Sequence, residues 1–237
     1  MFRASGWRMR ALALLSLSAM LWIGVGTAAH AGEAAVVIPP PSVDNPKVSG
    51  PVQTAVVAGG CFWGVQAVYQ HVRGVQRALS GYAGGARATA DYETVSRGNT
   101  GHAESVEIRF DPKEISYGEI LQIYFSVVHD PTQRNRQGPD SGTQYRSNIF
   151  YGDESQKRIA QAYIAQLDKA RAFGRSIATR VDPLSGFYPA EAYHQDFLIR
   201  NPTYPYIVIN DLPKLENLRK VFPDRFLDRP VTVGRSN

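Results

Sequence analysis

The chain of 237 residues contains 26 Lys and Arg residues and 21 Asp and Glu residues, a formal net charge of +5 at pH 7. Arg3, Arg8 and Arg10 lie within the first 31 residues, which contain no acidic residue, so the remainder carries 23 basic and 21 acidic groups. This small excess gives no argument for binding to nucleic acid or to a membrane surface. The single cysteine, Cys61, excludes an internal disulfide.

The N-terminus has the three-part pattern of a secretory signal. A basic start precedes the uncharged, mostly apolar run Ala11–Ala28, and the small residues "AHA" follow at 29–31. This pattern predicts a signal peptide over residues 1–31, cleavage after Ala31 and export, in a bacterium to the periplasm. The alternative is an uncleaved anchor, because the apolar run is nearly long enough to span a bilayer.

A proline-rich stretch separates this segment from the remaining chain. Pro39, Pro40 and Pro41 are consecutive, and residues 32–51 show no apolar periodicity. We expect an extended, exposed linker there. Residues 52–226 are enough for one domain with a sizeable core, and residues 227–237 form a C-terminal tail.

The first elements of the domain flank Cys61. The apolar run Thr54–Ala58 predicts a strand, which Gly59 and Gly60 break, and a helical pattern then continues to Gly74. Cys61 therefore lies where a strand turns into the first turn of a helix. The free N–H groups and the positive end of the helix dipole favour a thiolate there.

Strands and helices alternate further along the chain. The predicted strands lie within 75–85, 104–112, 145–152 and 176–183, and the predicted helices lie within 116–130, 153–174, 188–202 and 213–222. Ser116 and Glu119 have capping-box spacing at the start of one helix. Two long polar stretches, 88–103 and 130–144, are predicted to be functional loops. The pattern indicates an α/β (α+β) single domain with a mixed β-sheet flanked by helices.

Four short motifs resemble the signatures of one enzyme family. "GCFWG" at 60–64, "GHAE" at 101–104, "DSGTQYRS" at 140–147 and "YHQDFL" at 193–198 resemble the peptide methionine sulfoxide reductase A (MsrA) family over about residues 55–210. The resemblance implies a ferredoxin-like, two-layer MsrA-type fold. It also implies reduction of protein-bound and free methionine S-sulfoxide without a cofactor, to repair oxidised proteins.

The resemblance assigns the catalytic roles to four residues. Cys61 is the nucleophile that attacks the sulfoxide sulfur, and Glu104 is the acid that protonates its oxygen. To donate a proton near neutral pH, Glu104 needs a pKa raised toward about 6 or 7 by burial. Tyr92 and Tyr145 match the two tyrosines that hydrogen-bond the sulfoxide oxygen. By residue type alone, a solvated carboxylate at a strand edge is the favoured interpretation of Glu104.

The resemblance places three further residues at the substrate. Phe62 and Trp63 form the apolar wall for the S-methyl group, and Asp140 helps to hold the substrate. By residue type alone, the two aromatics could be core residues and Asp140 a turn residue. His194 is interpreted as a structural or hydrogen-bonding histidine. His102 begins an H-x-E, but the chain lacks the cysteine pair of a zinc deaminase, so we expect no metal.

The sequence departs from the family after Pro223, where many members carry resolving cysteines and this chain has none. Regeneration then requires an external donor, a thioredoxin-like protein or a small thiol. Two alternatives stay open: a thiol peroxidase or cysteine hydrolase, and a secreted binding module with an incidental thiol. We expect neither a nucleic-acid partner nor stable membrane insertion.

Overall fold

The computed structural model describes residues 1–2 and 34–234. The signal peptide predicted over residues 1–31, like its alternative as an anchor, falls almost entirely outside the described residues and stays a prediction. Within the described part of the chain, no helix is both long enough and apolar enough to cross a membrane.

Strands and helices alternate along the chain, as predicted. The strands are β1 (Gln53–Gly59), β2 (Val75–Ala83), β3 (Ala103–Phe110), β4 (Arg136–Gln137), β5 (Asp140–Ser141), β6 (Ser147–Tyr151), β7 (Arg180–Pro183) and β8 (Phe187–Pro189). The α-helices are α1 (Phe62–Gln70), α2 (Tyr92–Val95), α3 (Tyr117–Ile123), α4 (Glu154–Lys169), α5 (Phe197–Arg200) and α6 (Leu212–Val221). The sequence pattern did not indicate β8.

In the described residues, six strands form one mixed sheet in the order β7-β6-β1-β3-β2-β8. Strands β6 and β7 are parallel, and every other neighbouring pair is antiparallel. Since β3 lies between β1 and β2 and opposes both, β1 and β2 are parallel and α1 crosses between them. This is the split βαβ unit of a ferredoxin-like arrangement. The predicted single domain with a mixed sheet and flanking helices is confirmed.

The sheet register brings three strand ends together. Val57 of β1 pairs with Val106 of β3, and Tyr82 of β2 pairs with Glu104. The C-terminal ends of β1 and β2 therefore lie on either side of the start of β3. The chain leaves β1 at this edge to enter α1, which places Cys61 and Glu104 at the same end of the sheet.

The main core lies between one face of the sheet and the helices. On β3 the predicted alternation holds, because Val106, Ile108 and Phe110 are fully buried in that core. Val65 and Val68 of α1 pack there too. A smaller apolar cluster on the other face includes Phe150 of β6. The helices thus cover one face of the sheet, and Leu184 and Phe187 pack against the smaller cluster on the other.

The predicted capping box at the start of α3 is present. The Ser116 hydroxyl accepts from the Glu119 N–H, and the Glu119 carboxylate accepts from the Ser116 N–H. Such a cap contributes on the order of 1 kcal/mol. The helix continues into a π-helical turn, Tyr124–Val128, which reaches the predicted end of this element.

The described part of the predicted exposed linker, residues 34–51, keeps most of its residues exposed but also packs against the domain. This N-terminal arm is extended, but Ile38 is buried in the main core. The Tyr163 hydroxyl donates to the Pro39 carbonyl at 2.7 Å. Asp44 accepts from the Gly118 N–H at 2.9 Å and from the Ser116 hydroxyl at 2.5 Å. The arm packs because its apolar residues and backbone carbonyls find partners on α3 and α4.

The two polar stretches contain short elements of their own. Asp91 accepts from the Thr94 N–H at 3.0 Å and caps α2 within 88–103. Within 130–144, β4 and β5 pair as a two-stranded ribbon. The described part of the C-terminal tail also packs, because the Leu227 N–H donates to the His71 carbonyl at 2.8 Å, at the end of α1.

Candidate active site

Cys61 occupies the N-cap position of α1, directly after the turn that leaves β1. Gly60 makes this turn with a φ of +89°, and a Cβ atom there would lie 2.6 Å from the side chain of Gln137. The turn therefore requires glycine both for its backbone conformation and for its space. Cys61 is partly exposed as a residue and lines a small depression, while its thiol is largely surrounded by protein.

The expectation that the helix N-terminus favours a thiolate is wrong for the resting state. Burial raises the pKa of the Cys61 thiol well above its ordinary value, and the negative charges of Glu104 and Asp211 raise it further. The backbone N–H of Trp63 lowers this pKa in part. Desolvation and acidic neighbours outweigh the helix end, so the resting residue is a protonated thiol at pH 7.

Glu104 is buried at the start of β3, with 3% of its surface exposed. Its Oε2 accepts from the Phe62 N–H at 3.0 Å, so its carboxyl lies against the first turn of α1. Burial raises the pKa of Glu104 to about 8, the Phe62 N–H lowers it, and the charges of Asp140 and Asp211 add to the rise. At pH 7 the carboxyl is therefore mostly protonated and can donate a proton. The alternative interpretation of Glu104, a solvated carboxylate at a strand edge, is therefore wrong.

Two phenols lie around this carboxyl. Tyr92 begins α2, and Tyr145 ends a short 3-10 turn, Thr143–Tyr145. Burial raises the pKa of both, and the negative charge of Glu104 raises it further, with a smaller effect of Cys61. Both groups therefore keep their protons at neutral pH and can act as hydrogen-bond donors.

Phe62 and Trp63 differ in position. Phe62 is 1% exposed and packs against the rings of Tyr82 and His194. Trp63 is partly exposed and stacks on Phe197, with ring centroids 3.8 Å apart. Trp63, rather than Phe62, therefore presents the apolar surface beside Cys61.

His194 has the structural role expected for it. The Trp63 Nε1–H donates to His194 Nδ1 at 3.1 Å. Burial lowers the pKa of His194, so the ring is neutral at pH 7 and accepts at Nδ1. This bond fixes the indole plane, which stabilises the orientation of Trp63.

Asp140, at the start of β5, lies in the same small depression as Cys61. It accepts a short hydrogen bond from the Tyr206 hydroxyl. Burial raises the pKa of Asp140, whereas the Tyr206 hydroxyl and the charge of Lys214 lower it. The structure thus brings all seven predicted site residues to one end of the sheet, and their catalytic and binding roles stay predictions.

Sequence reasoning missed four residues near Cys61. Tyr206, Asn210, Asp211 and Lys214 come from the π-helical turn Ile207–Asp211, its approach and the start of α6. The stretch "YPYIVINDLPK" shows no clear periodicity before its proline, and nothing in it points toward residue 61. A pair of charged residues at i and i+3 beside apolar residues is the one signal that could have indicated them.

His102, the histidine of the H-x-E sequence, hydrogen-bonds to backbone groups. His102 Nδ1 accepts from the Gly85 N–H at 3.3 Å, and Nε2 lies 3.0 Å from the Ala86 carbonyl oxygen. Within residues 1–2 and 34–234, no group of three or more His, Cys, Asp or Glu side chains is arranged to hold a metal ion.

The fold and these side chains define an α/β thiol protein whose cysteine, at the start of a helix, faces a buried protonated acid. The family model of peptide methionine sulfoxide reductase matches residues 53–226. The chain belongs to this family, the MsrA family.

Individual relatives cover most of the chain. Peptide methionine sulfoxide reductase MsrA 2 of Mesorhizobium japonicum is 62% identical over 181 residues, which are 76% of this chain and 93% of that protein. The protein of the same name from Synechocystis is 55% identical over 192 residues, 80% of this chain and 90% of that protein. The crystal structure of reduced Mxr1 from Saccharomyces cerevisiae is similar with a TM-score of 0.59 and 32% identity, over 69% of this chain and 92% of that one.

Proposed function

We propose that this protein reduces methionine S-sulfoxide, protein-bound and free, to methionine through a sulfenic acid on Cys61. The observation that carries the proposal is the buried Glu104 carboxyl, which accepts at 3.0 Å from the backbone N–H of Phe62, the residue after Cys61. A sulfoxide has a basic oxygen and an electrophilic sulfur. With an acid and a thiol at the same helix end, the acid can protonate the oxygen while the thiol attacks the sulfur.

The reaction begins with the sulfoxide oxygen beside Glu104, Tyr92 and Tyr145. The three hydroxyl donors withdraw electron density from the S–O bond, and Glu104 transfers its proton as Cys61 attacks the sulfur. The Cys61 thiol gives up its proton on attack. Oxygen then leaves methionine and bonds to Cys61, so the thiol and the sulfoxide become a sulfenic acid and a thioether.

The protonation states favour this chemistry over the two alternatives. A thiol peroxidase needs a thiolate in the resting enzyme, whereas burial, with a further contribution from acidic neighbours, raises the pKa of Cys61 and keeps it protonated. An incidental thiol in a binding module gives no reason for a carboxyl buried beside it, since such burial is costly. The partly exposed indole of Trp63 supplies the apolar surface that an S-methyl group requires.

The second half of the reaction uses a thiol from outside the chain. Cys61 is the only cysteine, so its sulfenic acid condenses with an external thiol to a mixed disulfide, which a second thiol reduces. A thioredoxin-like protein is the donor that we propose, with a small thiol such as glutathione as the alternative.

We further propose that the protein is exported, in a bacterium to the periplasm, and that it repairs oxidised exported proteins. The support is the signal pattern of residues 1–31. N-terminal sequencing from a cell-envelope fraction tests this: Gly32 is the expected first residue. Full-length protein in membranes would support the anchor instead, and full-length protein in the cytoplasm would contradict both.

The activity is tested with the separate R and S epimers of N-acetyl-methionine-sulfoxide ester and a small dithiol donor. We expect reduction of the S epimer alone. Without a donor, an oxygen-18-labelled sulfoxide should place one labelled oxygen on Cys61 for each methionine released. Turnover of hydrogen peroxide without sulfoxide reduction would support the peroxidase, and no turnover of either would support the binding module.

A further inference from the structure

A small depression lies beside Cys61. Its volume of about 20 Å³ is enough for one water-sized group. Polar side chains line it, among them Asp140, Tyr206, Asn210 and Lys214. Glu104, Tyr92 and Tyr145, the proposed partners of the sulfoxide oxygen, are not among its lining residues. Cys61 therefore contacts a second set of polar groups, which has no role in the proposed reduction step.

Lys214 is held in this depression by a buried ion pair. Its Nζ lies 3.3 Å from Asp211 Oδ1, and the two residues are 6% and 0% exposed. The pair packs directly under α1, because a Cβ atom on Gly64 would lie 2.1 Å from Asp211 Oδ1 and 3.0 Å from Lys214 Nζ. Gly64 follows Cys61 by less than one helical turn. The pair thus has a fixed position beneath the end of α1 that carries Cys61.

A buried ion pair contributes little to stability, because desolvation offsets the attraction of the charges. Asp211 Oδ2 also accepts no hydrogen bond from the described residues. A contribution to stability alone therefore does not account for this ion pair, whereas a function at Cys61 accounts for it.

The groups that face Cys61 from the surrounding elements are acids, apart from Lys214. They are Glu104 of β3, Asp140 of β5, Asp211 of the π-helical turn, and the phenols Tyr92, Tyr145 and Tyr206. Lys214 is the one cation among the described residues that line the depression. Burial raises the pKa of both Asp140 and Asp211, and the positive charge of Lys214 opposes this rise.

Resting on the function proposed above, we propose that Lys214 is the counter-ion of the oxygen that the reaction transfers to Cys61, and that this oxygen lies in the depression. The Cys61 Sγ–O bond forms as the sulfoxide S–O bond breaks, and two electrons pass from the cysteine sulfur to the methionine sulfur. The proton from Glu104 leaves with the oxygen, and the Cys61 thiol proton restores the Glu104 acid. When the resulting sulfenic acid ionises, its negative oxygen faces the Lys214 ammonium rather than Glu104.

The test measures the ionisation of the oxidised residue. Reduced full-length protein receives one equivalent of methionine sulfoxide without a donor, and the methionine released is counted. Dimedone, which adds to the neutral sulfenic acid, is then applied across a pH series, and intact mass gives the labelling rate. The variants are Lys214→Met and Lys214→Arg, with Lys220→Met as the control, because Lys220 is exposed on the same helix.

We expect Lys214→Met to raise the midpoint of the labelling curve by about one pH unit or more, the effect of losing an opposite charge at close range. Lys214→Arg keeps the charge, so its midpoint should stay near that of the wild type, as should that of Lys220→Met. An unchanged midpoint in folded Lys214→Met would overturn the proposal.

A second variant keeps the proposal testable if Lys214→Met does not fold. Lys214→Met leaves the Asp211 carboxylate without its cation, so circular dichroism checks each variant. Asp211→Asn removes the opposing anion and should lower the midpoint, and a rise or no change there would also contradict the proposal. If the wild type releases no methionine, the proposed function fails, and the Lys214 proposal is tested on Cys61 oxidised with hydrogen peroxide.

Discussion

Replacing Glu104 by glutamine should make the protein more stable while it removes most of its activity. The amide keeps an oxygen that can accept the Phe62 N–H, so the link to α1 is retained. It has no proton to transfer. Since general acid catalysis contributes roughly 100- to 10,000-fold, turnover of the S-sulfoxide should fall by a factor in that range.

The gain in stability follows from the raised pKa. The pKa of Glu104 is about 8 in the folded chain, against an ordinary value of 4.5. The folded state holds this proton more tightly, so its stabilising contribution is complete below about pH 4.5 and is lost as pH rises toward 8. The loss is about 1.4 kcal/mol per pH unit, which amounts to about 3 kcal/mol at pH 7. Glutamine does not titrate and avoids this loss.

Urea unfolding at about pH 5 and about pH 7 measures the effect. The free energy of unfolding of Glu104→Gln, minus that of the wild type, should rise by about 2 to 3 kcal/mol between the two pH values. Glu107→Gln, on the same strand but partly exposed, controls for loss of a carboxylate from β3. A difference that is equal at both pH values would mean that Glu104 is ionised in the folded protein, and the reasoning about its acid role would fail.

Three further substitutions test the nucleophile and the aromatic pair. Cys61→Ser should abolish sulfoxide reduction, because a serine hydroxyl is not ionised and has no sulfur to accept the oxygen; turnover above the rate without enzyme, measured by methionine release, would contradict the assignment. Phe62→Ala should lower the free energy of unfolding by about 3 to 5 kcal/mol, because the ring fills the core. Trp63→Ala removes a partly exposed ring and should cost less stability but more activity; the reverse order in urea unfolding and turnover would refute our distinction between the two.

What the sequence predicted depends on the distance over which each signal acts. The Ser116–Glu119 cap and the alternation of β3 are local patterns, and both occur as predicted. The motifs around Cys61 and Glu104 indicated the family and the site residues. The charge state of the thiol was mispredicted because the burial of Cys61, and the acids Glu104 and Asp211 that add to it, depend on the sheet and the C-terminal turn.

Other parts of the site were beyond prediction for the same reason. The hydrogen bond from Tyr206 to Asp140 joins residues 66 positions apart, and the bond from Trp63 to His194 joins residues 131 apart. No periodicity encodes such pairs. Composition predicted an extended, exposed proline-rich arm, but it says nothing of the core that accepts Ile38.

The packed N-terminal arm determines which residues a stably folded fragment of this protein must include. The family match begins at residue 53, yet Asp44 accepts from the Gly118 N–H in the first turn of α3, and Ile38 fills part of the core. A protein cut at the family boundary would expose that apolar surface to water and leave the first turn of α3 with the Ser116–Glu119 capping box but without Asp44. Any truncated or transplanted version therefore has to keep the arm from Ala35, the first arm residue that packs against the core.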